Sequence, residues 1–159
     1  MGQYTDYAWV KGRIGFDVLK QFLSDQVSNT SASDTVIDTE LDTYVEDKLI
    51  AQIDARIDSA CVVQVTVPVE STNKSFGLLE GIGEALLIRA VYAHSKHGDV
   101  PPKIENAWIQ ANMDLRAIST GKLLLVQDDD DGPGEDGDSV AVDVTSSEDT
   151  WGESLSDVW

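Results

Sequence analysis

Residues 76–121 constrain this chain more than any other stretch, because they hold two apolar-faced helical periods separated by the short break Gly98, Asp99, Val100, Pro101, Pro102. In the first, Leu79, Ile82, Leu86, Ala90 and Ala93 recur at helical spacing, and Leu78, Leu87 and Val91 widen the row to nearly half the circumference. In the second, Ile104, Trp108, Ala111, Leu115 and Ile118 follow the same rhythm. Pro101 and Pro102 suit its first turn and Gly121 its C-terminal stop. Two such segments with a short break predict an antiparallel helix pair. Gly77, Gly81 and Gly83 each weaken a helix by roughly 1 kcal/mol relative to Ala, which predicts close approach of another backbone. The inward positions are Leu, Ile, Ala, Val and Trp, so the pair supplies a core and no reactive group.

A long helix over about 39–62 is the expected partner, since Leu41, Val45, Leu49, Ile53, Ile57 and Ala60 make an apolar row while Asp42, Glu46, Asp47, Lys48, Gln52 and Arg56 fill the other side. Thr39 is its expected N-cap. Upstream, 5–12 and 16–25 read as two short helices joined around Gly15. Thr5 or Asp6 caps the first, and Val18, Leu19, Phe22 and Leu23 stripe the second. Residues 24–38 are polar and aperiodic, an exposed loop on this reading. The β-branched run 62–69, ending near Pro68, reads as an extended arm or short strand, and 70–75 as a turn. The fold class is mainly α: a small helical bundle of a long helix, an antiparallel pair and short N-terminal helices, with an extended acidic C-terminal tail. The domains are 1–126, the helical body, and 127–159, an acidic linker and docking tail.

Charge separates the two. Residues 1–126 carry 11 Lys+Arg against 17 Asp+Glu, whereas 127–159 carry 12 acids and no base, two thirds of the net −18. This balance argues against binding nucleic acid phosphates or anionic membranes. It permits a basic protein partner, a DNA-repelling surface, or life in concentrated salt, where exposed carboxylates are screened. Residues 1–10 have no apolar run or basic leader, so no secretion signal is expected, and no segment reaches the ~20 apolar residues of a span. Cys61 stands alone and reads as a small apolar residue near a helix end.

Chemistry-bearing motifs are scarce. The acids of 128–138 fail the calcium-loop register, because counting back from Gly132 puts Gln127 first and from Gly137 puts Gly132 first. His94 and His97 are three apart but lack a following Glu and a third ligand, so a helix C-terminal role fits them better than a metal site. Gly81 and Gly83 lie inside an apolar period and do not form a phosphate loop, and no Ser sits in a nucleophile elbow. No enzyme activity, cofactor or metal is expected.

The tail carries the sharp functional reading. Val140, Val142 and Val144 alternate as a lone strand, and Trp151, Leu155 and Trp159 follow among acids. A strand without a local partner and two tryptophans match a peptide that adds to a partner's sheet edge and anchors through its aromatic side chains.

The element order over residues 4–125 resembles the head-tail connector proteins of tailed viruses, also called adaptor or head-completion proteins. The resemblance rests on Gly-Phe-x-x-Leu at 15–19, Ile-x-x-Ile-Asp-Ala-Arg-Ile-Asp at 50–58 and Thr-Val-Pro-Val at 66–69. It continues through the apolar helix with Tyr92 and a closing Leu-x-x-Ile-x-x-Gly-Lys-Leu at 115–123. It implies a non-enzymatic ring of twelve copies at the head-tail interface of a virion, made in the host cytoplasm. The ring would meet the portal protein on one side and a tail-side head-completion or stopper protein on the other. DNA would pass through it without specific binding, and no membrane would be involved. The acidity, taken with this family, points to a virus of a salt-loving host. The alternative is a soluble acidic regulatory module that mimics DNA on a basic partner.

Overall fold

Asp6 starts the first helix of the computed structural model, which describes residues 2–95 and 100–126. Its Oδ1 accepts from Trp9 N at 2.6 Å, and α1 runs over Tyr7–Ile14. Gly15 ends α1 with φ 87°, a conformation that only glycine adopts without strain, and α2 follows at Phe16–Phe22. Leu19 and Leu23 of the expected stripe are fully buried, with Val18 and Phe22 at its margins.

The long helix begins earlier than its apolar period indicates. α3 spans Asp34–Tyr44, a π-helical segment Val45–Ile50 follows, and α4 spans Ala51–Cys61, with right-handed helical backbone at both junctions. Residues 34–38 therefore belong to the helix and not to a loop, because Ile37 reaches the centre of the core. Ser33 occupies the N-cap position. Thr39, the expected cap, is mid-helix and donates its hydroxyl to Thr35 O at 3.0 Å.

The π segment has a geometric cause. Ile37, Leu41, Val45, Leu49, Ile53 and Ile57 are spaced four apart, and in an α-helix each such step overshoots a full turn by about 40°, so five steps would carry the row about 200° round. The wider turn, with Ala51 N bonded to Glu46 O, rotates the row back. All six side chains are buried, together with Ile50, Ala60 and Cys61.

After α4 the chain turns: Gln64 N and Val65 N both return to Cys61 O, at 2.8 and 3.0 Å. Of the extended arm or short strand expected over 62–69, the strand is absent among the described residues, and 65–69 follow the turn without helix. The β-branched side chains of 62–69 have no neighbouring sheet edge, and only Val69 of that run is fully buried. α5, Phe76–Ala93, and α6, Pro102–Ser119, then form the antiparallel pair. Arg89 near the end of α5 pairs with Glu105 near the start of α6 at 2.8 Å, while Ser75 before α5 bonds Val126 beyond α6. Leu79, Ile82, Leu86, Leu87 and Val91 point inward, but Leu78 and Ala93 emerge exposed. Among the three glycines, only Gly83 meets a backbone: a Cβ there would lie 3.3 Å from Tyr4 Cβ and 3.5 Å from Tyr4 O. At Gly77 and Gly81 it would meet nothing within 4 Å, so close approach does not explain them.

The chain is thus mainly α, a small bundle of a long helix, an antiparallel pair and two short N-terminal helices. No described helix is long and apolar enough to cross a membrane.

Candidate interaction surfaces

The chain leaves the described body through a polar clip. α6 stops at Thr120 and Gly121, where φ is 70°, and Lys122 N and Leu123 N bond back to Ala117 O at 2.8 and 3.1 Å. The segment then turns inward and buries Leu125. The Gln64 amide donates to Ile118 O and to Leu123 O at 2.9 Å, and its carbonyl accepts from Leu125 N at 2.9 Å. Asn73 Nδ2 donates to Val126 O at 3.0 Å, and Ser75 Oγ accepts from Val126 N at 2.8 Å. Asn73 and Ser75 are themselves buried, and Asn73 Oδ1 accepts from Ser75 N at 2.7 Å. Buried polar groups this well matched fix the path of 122–126.

An apolar collar flanks that clip. Val62 and Val63, 59% and 63% exposed, immediately precede Gln64, and Leu124 and Val126, 76% and 46% exposed, alternate with the clipped Leu123 and Leu125. Half of the strongly exposed large hydrophobics of the described residues thus belong to the two segments that Gln64 joins. Strongly exposed apolar side chains on two segments joined in this way make the collar a candidate interaction surface. A second apolar pair, Ile109 and Met113, stands one turn apart on α6.

The N-terminal segment is held to the long helix by carboxylates. Asp54 accepts from Gln3 N at 2.6 Å and Tyr4 N at 3.3 Å, Asp58 from Tyr4 OH at 2.6 Å, and Glu46 from Tyr7 N at 2.9 Å. Asp38 accepts from Tyr7 OH and from Lys11 Nζ, each at 2.6 Å. These acids sit one position after the apolar row, so the segment runs antiparallel along its edge. Burial, then the bonds to Asp58 and Asp38, hold the Tyr4 and Tyr7 phenols above their ordinary range. Burial also pushes the Cys61 thiol up to about 11, as befits an inert core residue.

Two of the open clefts lined by described residues flank α1. One, of about 480 Å³, lies between α1 and the α3/π junction and is edged by Asp6, Asp42, Glu46 and Asp47. The other, of about 400 Å³, has Trp9 and Arg13 on one side, Gly81, Glu84, Ala85 and Ile88 of α5 along its length, and Ala107 at its end. Among the described residues no three His, Cys, Asp or Glu are grouped to hold a metal ion. His94 packs edge-on to Tyr44, with Nε2 3.4 Å from the phenol oxygen, and His97 lies outside the described residues.

Neither a family model, nor a curated protein, nor a solved structure matches the chain. The surfaces above therefore rest on their own geometry. Val140, Val142, Val144, Trp151, Leu155 and Trp159, expected to bind a partner, lie outside the described residues, as do the acidic linker and Gly98 and Asp99 of the break between the paired helices. The residues that sequence reasoning missed are Gln64, Asn73 and Ser75. Asn73 and Ser75 are indistinguishable in sequence from the other polar residues of the turn 70–75, and only the step from an apolar run straight into Gln64 hinted at a half-buried amide.

Proposed function

We propose that this chain is a structural virion protein, a head-tail adaptor that assembles as a ring beneath a portal, joins capsid to tail and lets DNA pass. The reading is non-enzymatic and involves no cofactor. The observation that carries it is the polar clip. A rigid helical body that holds its C-terminal exit in place with Gln64, Asn73 and Ser75 is suited to presenting residues 127–159 to a neighbour from a fixed point. The exposed collar of Val62, Val63, Leu124 and Val126 around that exit supplies apolar surface for the same contact. The element order, two short helices, a long helix and an antiparallel pair, supports the resemblance drawn from the sequence. The acidic surface suits a wall past which DNA slides without sticking.

Val140, Val142, Val144, Trp151, Leu155 and Trp159 are the proposed anchors. Solution mass measured in concentrated salt, with and without purified portal assemblies, tests the reading. A ring or a portal complex is expected. A chain that stays monomeric and ignores the portal would sink it. Removing residues 139–159 should leave the helical body folded and abolish assembly.

A further inference from the structure

The groove beside Trp9 has properties that the adaptor reading does not use. Its floor is small and open: Gly81 and Ala85 lie one turn apart on α5, and a Cβ at Gly81 would meet nothing within 4 Å. Trp9 and Ile88 are partly buried and give it apolar walls. Glu84 enters the same space half-buried, and no hydrogen bond or ion pair holds its carboxylate among the described residues. Burial and the neighbouring Glu80 both push its pKa up, and only Arg13 across the groove opposes them.

We propose that this groove receives an amphipathic helix of a partner protein, which seats an apolar side chain on the Gly81–Ala85 floor and lays a Lys or Arg against Glu84. Charge selects this occupant over the two nearest at hand. The chain's own residues 127–159 carry 12 acids and no base, and a second copy carries a net −18, so either brings like charge towards Glu80 and Glu84. A basic helix relieves that repulsion, and the missing side chain at Gly81 lets its backbone come near. A site of about 400 Å³ takes one anchor, so the contact is of modest affinity. The inference is independent of the adaptor reading, because it concerns the chain in whatever oligomeric state it holds.

The test is anisotropy of a labelled 18-residue Leu/Lys amphipathic helical peptide titrated with the full chain at moderate salt. Saturable binding is expected. Gly81→Leu, which fills an open floor, should retain the wild-type circular dichroism and weaken binding at least tenfold. Glu84→Gln should weaken it several-fold, while Asp47→Asn, in the other cleft, should leave it unchanged. The proposal is overturned by the absence of binding, by equal binding to the Gly81→Leu protein, or by equal binding of a scrambled peptide of the same composition. Tighter Gly81-dependent binding of a peptide spanning residues 145–159 would make the chain's own tail the occupant. Loss of wild-type self-association in Gly81→Leu would make it a second copy.

Discussion

Gly81 and Gly83 stand two residues apart on α5 and respond oppositely to an added methyl group. At Gly81 nothing lies within 4 Å of a Cβ, so Gly81→Ala removes only backbone freedom from the unfolded chain and should stabilise by about 0.5–1 kcal/mol. At Gly83 the Cβ would press on Tyr4 Cβ at 3.3 Å and reach ordinary contact with Ile57 Cδ1 at 3.6 Å. Tyr4 cannot retreat, because its amide bonds Asp54 and its hydroxyl bonds Asp58 and Val69 N. Gly83→Ala should therefore lose about 1 kcal/mol net, overpacking outweighing the helix gain. Urea midpoints that move the same way for both would refute this. Two aspartates of the N-terminal clamp form a second opposed pair. Burial alone would raise Asp38, but the bonds from Lys11 and Tyr7 prevail and its folded pKa is depressed. Its contribution to stability is present above the ordinary aspartate value of ~3.9 and is lost as pH falls through the folded pKa. For Asp54 burial outranks the amides of Gln3 and Tyr4, so the folded pKa is raised and its contribution grows as pH falls through that raised value. The stability gap between wild type and Asp38→Asn should narrow in acid, and the gap to Asp54→Asn should widen. Parallel pH curves for the two variants would contradict both assignments.

At the scale of the element, the π segment behaves as one residue more than the apolar row needs. If Lys48, which is exposed, is removed and the helix closes to α geometry, Ile37, Leu41, Val45, Leu49, Ile50, Ile53, Ile57 and Ala60 all fall within about 120° of one another. Deletion of Lys48 should therefore keep a cooperative thermal transition. An Ala inserted after Lys48 turns everything beyond it by about 100° and should abolish that transition. Circular dichroism melts of the two variants decide the point. The row from Leu41 to Ala60 was legible because one inward residue recurs each turn, and that signal is insensitive to whether the turn is α or π. The start of the helix was not legible, because Asp34, Thr35, Asp38 and Thr39 are weak helix formers and Ile37 alone reaches the core. The run 62–69 misled in the other direction: its β-branched residues favour a strand, but a strand needs an edge to pair with, and Cys61 O captured Gln64 N and Val65 N instead. Of the interaction surfaces, the glycines of α5 were visible, and the backbone approach read from them holds at Gly83 but not at Gly77 or Gly81, since which glycine faces Tyr4 is set by tertiary packing. The clip of Gln64, Asn73 and Ser75 has no periodic signature.

Across the whole molecule, the helical body has a continuous apolar core within residues 2–126. Gln64, Asn73 and Ser75 hold main-chain groups up to Val126, and residues 2–126 lie within one compact unit. A chain ending at Val126 should therefore unfold cooperatively, with Tm close to that of the full chain at 1 M salt, where the Debye length is about 3 Å. At low salt the two should part. Residues 127–159 add 12 acids to a body that already has more acids than bases, and self-repulsion disfavours the compact state, so the full chain should melt lower than the truncated one. A chain ending at Lys122 separates this charge effect from loss of structure. It lacks the buried Leu125 and the backbone groups of 123–126 that Gln64, Asn73 and Ser75 bind, so burial of ~2 kcal/mol disappears and the buried Asn73 and Ser75 and the half-buried Gln64 lose partners. Its Tm should fall by on the order of 10 °C at every salt concentration. Equal melting of the chains ending at Lys122 and Val126 would mean that the clip does not anchor the exit, and the fixed point from which the adaptor reading projects residues 127–159 would be lost.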